Sequence, residues 1–366
     1  MLILDVLDEV PDPRRCNAVH DLTDVLFTAF AAMLCGATHC TEMEVFAETR
    51  LELLRQFVPL EAGAPSHDTF SRVFAALDPT AFVTAFQRLM AAFGGQARTD
   101  QRGQVAIDGK SLRRAYGKGR AHMPPLVVTV FDCETFMSLS QAVAGAGGEA
   151  EAAIAALKLL SLKGCTVTGD ALHCHRRLTQ TVRAGGGDYV LAIKGNQSKL
   201  AREAAAALDR AQANPRTAIA ETEDDDHDRG ELRACVVTAF RQSPGKNNLD
   251  GLVAVARVES WRTVAGKTSH AIRAYALSKK MSPAEVLRAV RGHWQIENNL
   301  HWQLDVLMAE DQTRNRKNNG PANLAALRRL TLNVLRAEPS KIPLSHKRLK
   351  AKWASDDLLR LMTHMR

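Results

Sequence analysis

Apolar residues in the first hundred positions recur at helical spacing. Leu22, Val25, Leu26, Ala29, Phe30, Met33 and Leu34 fall on one face before the breaker Gly36. A second helix is predicted from Thr41 to Phe57, with Thr41 as N-cap and Glu44 three residues on. Ser66 and Asp68 offer further caps, and Pro79 separates two more helices. The polar, Gly-containing stretch GGQARTDQRGQ marks a boundary, so residues 1–97 are expected to form a helical N-terminal domain and 98–366 a second one. Beyond it the period changes. QVAID, PLVVTVFD, FMSLSQAVA, CTVTGDAL and DYVLAIKG read as strands, and Ala/Leu-rich helical stretches fall between the later ones. That alternation predicts an α/β fold with a central, largely parallel sheet, made mixed by an opening hairpin that turns near Cys133 to Thr135. Residues from about 215 to 279 break the alternation with an acidic run (ETEDDDHDRGE) and three β-rich stretches, a β insertion. Helices follow to the end, with a short basic tail.

Composition narrows the class. The 366 residues are 46% hydrophobic and 24% charged, which excludes disordered, collagen-like and disulfide-scaffold proteins. Seven scattered cysteines form no CxxC pair, so they read as reduced thiols in a cytoplasmic protein. The cluster His173, Cys174, His175 lacks a second ligand pair at zinc spacing. The opening MLILDVLDEVPDPRR has no signal-peptide pattern, and the apolar stretch from Val25 to Ala37 is shorter than the ~20 residues that span a bilayer.

The formal charge of +8 is unevenly spread. Eleven basic residues lie between Gln312 and Trp353 (Arg314, Arg316, Lys317, Arg328, Arg329, Arg336, Lys341, Lys347, Arg348, Lys350, Lys352) against the single acid Glu338. A second basic cluster (Lys110, Arg113, Arg114, Lys118, Arg120) follows Asp108. A solvated helix face has the same look, but two clusters, one beside a candidate acidic site, point to a phosphate backbone. No aromatic ladder interleaves them, so single-strand base stacking is not indicated.

Asp108 and Asp170 each close an apolar strand. Carboxylates on neighbouring strand ends suit Mg²⁺, a hard cation that takes oxygen ligands, although turns and caps also use Asp. A third carboxylate would come from Glu297, Asp305, Glu310 or Asp311. In HWQIENNLHW, helical spacing puts His293, Glu297 and His301 on one face beside Trp294, with Val290, Ile296, Leu300 and Leu304 on the other. This reads either as a surface patch with partly buried tryptophans or as a Glu held toward the site with His293 and His301 near phosphate.

DEVPDPRR, GAPSHDTFSRVFAALDP, AIDGKSLRR, DYVLAIKGNQ, RGHWQIENNLHWQLDV, AEDQTRNR and NLAALRRLTLNVLR together resemble, in order and over nearly the whole chain, the DDE-type insertion-sequence transposases of the H-repeat-associated group. The resemblance implies a ribonuclease-H-like core behind a helical associated domain. It assigns Asp108, Asp170 and Glu297 as catalytic, metal-holding carboxylates for two Mg²⁺ ions, with Mn²⁺ as substitute. The wider superfamily carries Arg, Tyr and Lys around that Glu, where this chain has His293, Val290 and Leu304. After Asp170, LHCHRR also departs from the group's usual Met-Gly-Cys-Gln.

The activity so implied is cleavage of double-stranded DNA at element terminal repeats and strand transfer into target DNA, by a homodimer. DNA contacts are expected from Lys110, Arg113, Arg114, Lys194, Asn196, His293, Trp294, His301, Arg314, Arg316, Lys317, Arg328 and Arg329, and the N-terminal helices are candidates for reading the repeat. The rivals are a nuclease of the same fold without strand transfer, and a domesticated DNA-binding protein. The latter predicts loss of a carboxylate, and all three are present.

Overall fold

A computed structural model describes residues 2–14, 18–94, 103–115, 124–226, 229–245 and 248–363. Cys16, the linker residues 95–102, Lys118 and Arg120 lie outside the described residues. The fold is mixed α/β, with a helical N-terminal region followed by a ribonuclease-H-like sheet and flanking helices. The strands are β1 (Gln104–Ser111), β2 (Leu126–Asp132), β3 (Ser138–Val143), β4 (Thr166–Gly169), β5 (Asp188–Ile193), β6 (Ile219–Asp226), β7 (Arg229–Ala239), β8 (Ala254–Val264) and β9 (Lys267–Leu277). They form one nine-stranded sheet in the order β3-β2-β1-β4-β5-β9-β8-β7-β6. Only β1–β4 and β4–β5 are parallel; β1 meets β2, and β5 meets β9, antiparallel.

The strands of the 215–279 region thus continue the core sheet, because β9 pairs with β5 from Ile193↔Ala274 to Val190↔Leu277. The acidic run, which carries no strand pattern, supplies the outer strand β6, laddered to β7 along its whole length.

Side-chain alternation divides the sheet into two faces. Val105, Ile107, Tyr189, Leu191 and Ile193 pack against the helices Gly148–Lys158, Arg176–Ala184 and Ser198–Gln212. The intervening Val190 and Ala192, with Tyr275 and Leu277, meet the helix Pro283–His293. Ala106 belongs to a third cluster. There the N-terminal helices share one core with Ile296, Leu300, Leu304 and Met308, with the helix Gly320–Ala337, and with Leu358, Leu361 and Met362. The Gly320–Ala337 helix is buried almost all round and runs through this core. Its Asn323 donates to Phe74 O and Leu77 O (2.8 and 3.1 Å), and Asn333 exchanges two hydrogen bonds with the Ser138 backbone.

The helix predicted from Thr41 to Phe57 starts at Cys40, because Glu42 rather than Glu44 accepts from the Thr38 and His39 amides, and it breaks at Arg50 into Cys40–Thr49 and a short Leu51–Leu54. Among the described residues, no helix is long and apolar enough to cross a membrane.

Candidate active site

Register brings the first two carboxylates together. The parallel β1–β4 ladder ends at Ile107↔Gly169, so Asp108 and Asp170 are the next residues on adjacent strands, ~4.8 Å apart in backbone spacing. Asp108 is not a strand end as predicted: β1 continues to Ser111 because β2 goes on pairing with it, Asp108 opposite Thr129. Thr168 and Asp170, then Val190, Ala192 and Lys194, then Arg273 and Tyr275, alternate onto one face of the sheet and line a cleft of about 230 Å³. Val290, His293, Trp294 and Glu297 close it from above.

The covering helix is well started. Ser282 and Glu285 form a capping box around Pro283, with the Ser282 amide donating to Glu285 at 2.7 Å. It does not run straight on as the helical spacing implied. Residues Ile296–His301 form a π turn in which the Trp302 amide reaches back to Glu297 O. The wider turn buries Ile296, Leu300 and His301 while Glu297 faces the cleft.

His301 Nδ1 lies 3.2 Å from Glu297 Oε2 and 3.6 Å from Asp108 Oδ2. His293 is separate from that pair: its Nδ1 lies 3.3 Å from Thr168 Oγ1. The Thr168 hydroxyl donates to Val105 O, so it has only lone pairs to offer and His293 is assigned as the donor. Burial, opposed by the Asp170 charge, lowers the His293 imidazole to about 4, so it is neutral. Burial pushes the Asp108 carboxyl up to about 6; His301 works against the rise and the Glu297 charge adds to it. The His301 hydrogen bond holds Glu297 below the usual carboxylate range.

Ligand atoms of Asp108, Glu297 and His301 all lie within 4.8 Å of one another. His301 Nδ1 is engaged with Glu297 and its Nε2 is buried with no hydrogen-bond partner among the described residues, while Asp108 and Glu297 offer carboxylate oxygens and Asp170 lines the same cleft. Such an oxygen set, with one desolvated acid beside another, fits a hard divalent cation.

Several expected DNA contacts lie elsewhere. Arg328 and Arg329 are each 1% exposed, which corrects the expectation that they meet a backbone phosphate. Arg329 pairs with buried Glu310 at 2.9 Å and donates to Thr129 Oγ1 at 3.0 Å, directly under the strand carrying Asp108. Arg328 donates to Thr38 O, Met308 O and Thr313 Oγ1. Lys347 and Arg348 are also internal, Lys347 on Glu338 at 3.0 Å and Arg348 on Met33 O, so much of the C-terminal basic run holds the core together. Lys110 is buried between Asp305 (2.8 Å) and Asp311 (3.3 Å), which occupies both the lysine and two rival carboxylates. Glu310, the remaining rival, is spent on Arg329.

His293 and His301 sit inside the site, where the first is neutral and the second braces Glu297. Arg113, Arg114, Arg314, Arg316 and Lys317 are exposed; Arg113 lies 3.3 Å from Asp311, and Arg316 donates to Arg114 O. Asn196 donates to Ala171 O at 2.7 Å, tying the loop after β5 to the turn after Asp170, while Lys194 lines the cleft. Trp294 is 44% exposed beneath the Arg273 guanidinium.

Three residues beside the cleft carried no motif. Arg273 and Tyr275 come from β9, and Glu149 presses its carboxylate against Gly109, where a Cβ would lie 2.5 Å from its Oε1. The signal for Glu149 was the glycine after Asp108. It also stands 3.5 Å from the fully buried His173, whose Nε2 is 4.0 Å from Asp170.

Comparison with known proteins adds the lineage of this arrangement. Residues 4–90 match the family described as DDE_Tnp_1-associated, and residues 73–334 match the Transposase DDE domain. The chain is 28% identical over 342 residues to the "H repeat-associated putative transposase YhhI" of Escherichia coli K12, covering 91% of this chain and 90% of that protein. It is 30% identical over 361 residues to the "Putative transposase YncI" of Escherichia coli O157:H7, covering 91% and 87%. It is also 35% identical over 280 residues to the "Uncharacterized protein in dhlA 3'region" of Xanthobacter autotrophicus, covering 75% and 93%.

Proposed function

The chain belongs to the Transposase DDE domain family, and from that premise we propose that it cuts the ends of a mobile DNA element and joins them to target DNA, using Asp108, Asp170 and Glu297. The observation that carries this reading is the register of β1 and β4, which sets two carboxylates side by side with Glu297 facing them across the cleft. These three residues would hold two divalent ions, Mg²⁺ in the cell with Mn²⁺ as substitute. Such ions, when bound, activate the attacking oxygen and stabilise the leaving oxygen of an in-line displacement at phosphorus.

The chain's own groups prepare the site. His301 keeps Glu297 ionised and fixes its rotamer. His293, neutral and tied to Thr168, adds no charge that would compete with a cation. The first displacement uses water and frees a 3′-hydroxyl; the second uses that hydroxyl on the target strand, with no covalent protein intermediate. Double-stranded DNA is the partner, met by the exposed Arg113, Arg114, Arg314, Arg316 and Lys317, and two ends are brought together by a homodimer.

The test incubates purified protein with labelled duplexes of the element's ends and a target plasmid in Mg²⁺, with Asp108→Asn as control. Cleavage and joined product are expected from the wild type and neither from the variant. Equal activity in Asp108→Asn overturns the metal-site assignment. Cleavage without joining supports a nuclease of the same fold, and binding without cleavage in Mg²⁺ and Mn²⁺ supports a DNA-binding role alone.

A further inference from the structure

The two central ladders stop at the same edge of the sheet and are followed by charges of opposite sign. Beyond Ile107↔Gly169 come Asp108 and Asp170; beyond Ile193↔Ala274 come Lys194 and Arg273. All four line one cleft, so across β1-β4-β5-β9 it runs from two carboxylates to two cations. Lys110, the basic residue nearest Asp108 in sequence, is consumed by Asp305 and Asp311. Lys194 and Arg273, in contrast, make no ion pair with a carboxylate among the described residues.

The Arg273 guanidinium sits 5.4 Å from the centroid of the Trp294 ring, a cation–π contact, and Tyr275 lines the same cleft. Arg273 is exposed, yet it is held by an aromatic face, with no carboxylate paired to it among the described residues. A planar guanidinium held this way presents paired N–H donors matched to the two non-bridging oxygens of a phosphodiester.

We infer that Arg273, with Lys194, forms a phosphate-holding subsite at the β5–β9 end of the cleft and positions the DNA strand so that a neighbouring phosphodiester meets Asp108, Asp170 and Glu297. Arg273 is a positioning residue that comes from β9, far in sequence from both aspartates. The inference rests on the reading of the cleft as a DNA-cleaving site.

The experiment titrates a duplex ending in the element's terminal nucleotide, over a range of salt concentrations, into full-length protein carrying Arg273→Gln, Arg273→Lys or Lys194→Gln. One series measures cleavage in Mg²⁺; a second measures binding alone, on the Asp108→Asn background without divalent ions. Arg273→Gln is expected to raise the DNA concentration at half-maximal cleavage about tenfold. It should also flatten the slope of log affinity against log salt by about one, whereas Arg273→Lys keeps the slope and loses part of the affinity. If the wild type cleaves nothing, the cleavage reading fails, while the binding series still reports on the subsite. Unchanged slope and affinity in Arg273→Gln overturn the inference. Equal loss in the Gln and Lys variants with a wild-type slope also overturns it, since that pattern marks a packing role for Arg273.

Discussion

Replacing Asp108 by Asn removes one of the three carboxylates proposed to be catalytic, and the same replacement should make the ion-free protein more stable at neutral pH. Burial raises the Asp108 carboxyl from 3.8 to about 6 in the folded state. Between those values the folded protein binds a proton that the unfolded chain does not, so stability falls as pH rises from about 4 to about 6 and stays low above it. Two pKa units at ~1.36 kcal/mol each give about 3 kcal/mol as the upper size of this penalty. The carboxylate's side chain is only 20% exposed, so solvent screening takes little from that figure. The assay is urea unfolding in EDTA at pH 7 and at pH 3.5, followed by tryptophan fluorescence. Asp108→Asn should exceed the wild type by up to about 3 kcal/mol at pH 7, with the gap closing at pH 3.5 as both forms become neutral. Mg²⁺ should narrow the gap at pH 7 by stabilising the wild type selectively. An Asn variant no more stable than wild type at pH 7, or a gap that persists at pH 3.5, refutes the reasoning.

Other outcomes follow from the same geometry. Asp170→Asn and Glu297→Gln should each lower end cleavage about a thousandfold or more while duplex binding in EDTA persists; near-normal cleavage in either removes that residue from the site. Glu310→Gln strands the buried Arg329 guanidinium and should cost about 3 kcal/mol in urea unfolding, most of it recovered in the double variant Glu310→Leu/Arg329→Met; a single-variant cost below ~1 kcal/mol contradicts the buried pair. Gly169→Ala puts a methyl 3.1 Å from Ile107 Cγ1 and 3.2 Å from His173 Cβ and Leu191 Cδ2, between the two aspartates' strands. It should destabilise by about 1–3 kcal/mol and slow cleavage more than it weakens binding, read as a kcat loss at saturating DNA.

What could be read in the sequence follows the range of the interactions. Asp108 and Asp170 stood out because each ends an apolar run, and Glu297 because its neighbours form a long motif; all three signals are local. Arg273 could not be found this way. It is one cation in an alternating, largely exposed strand, and only the nonlocal pairing of β9 with β5 brings it beside Lys194. The Arg328–Arg329 pair misled for the same reason. Two adjacent arginines look like a wet helix face until Glu310 and the Met308 carbonyl, close to twenty residues upstream, are seen to fold back and receive them. The acidic strand β6 was hidden because Glu and Asp are poor strand formers, and its ladder with β7 overrides that preference. At the site, the His293–Glu297–His301 spacing predicted one shared face; the π turn kept Glu297 with His301 and left His293 to Thr168.

The single core joining the first helices to residues beyond Ile296 has a consequence for synthesis. The ribosome releases the N-terminal helices about two hundred residues before the chain that completes their packing. Until then Phe27, Phe30, Phe70 and Phe74 lack the helix Gly320–Ala337 that covers them, so that half of the molecule ripens last, through contacts of very high sequence separation. Glu297 lies on the turn whose Ile296 and Leu300 enter this same late core. The third carboxylate therefore reaches its place only after the helix Gly320–Ala337 has been made, and a product terminated before that helix would carry both aspartates without the packed turn that presents Glu297.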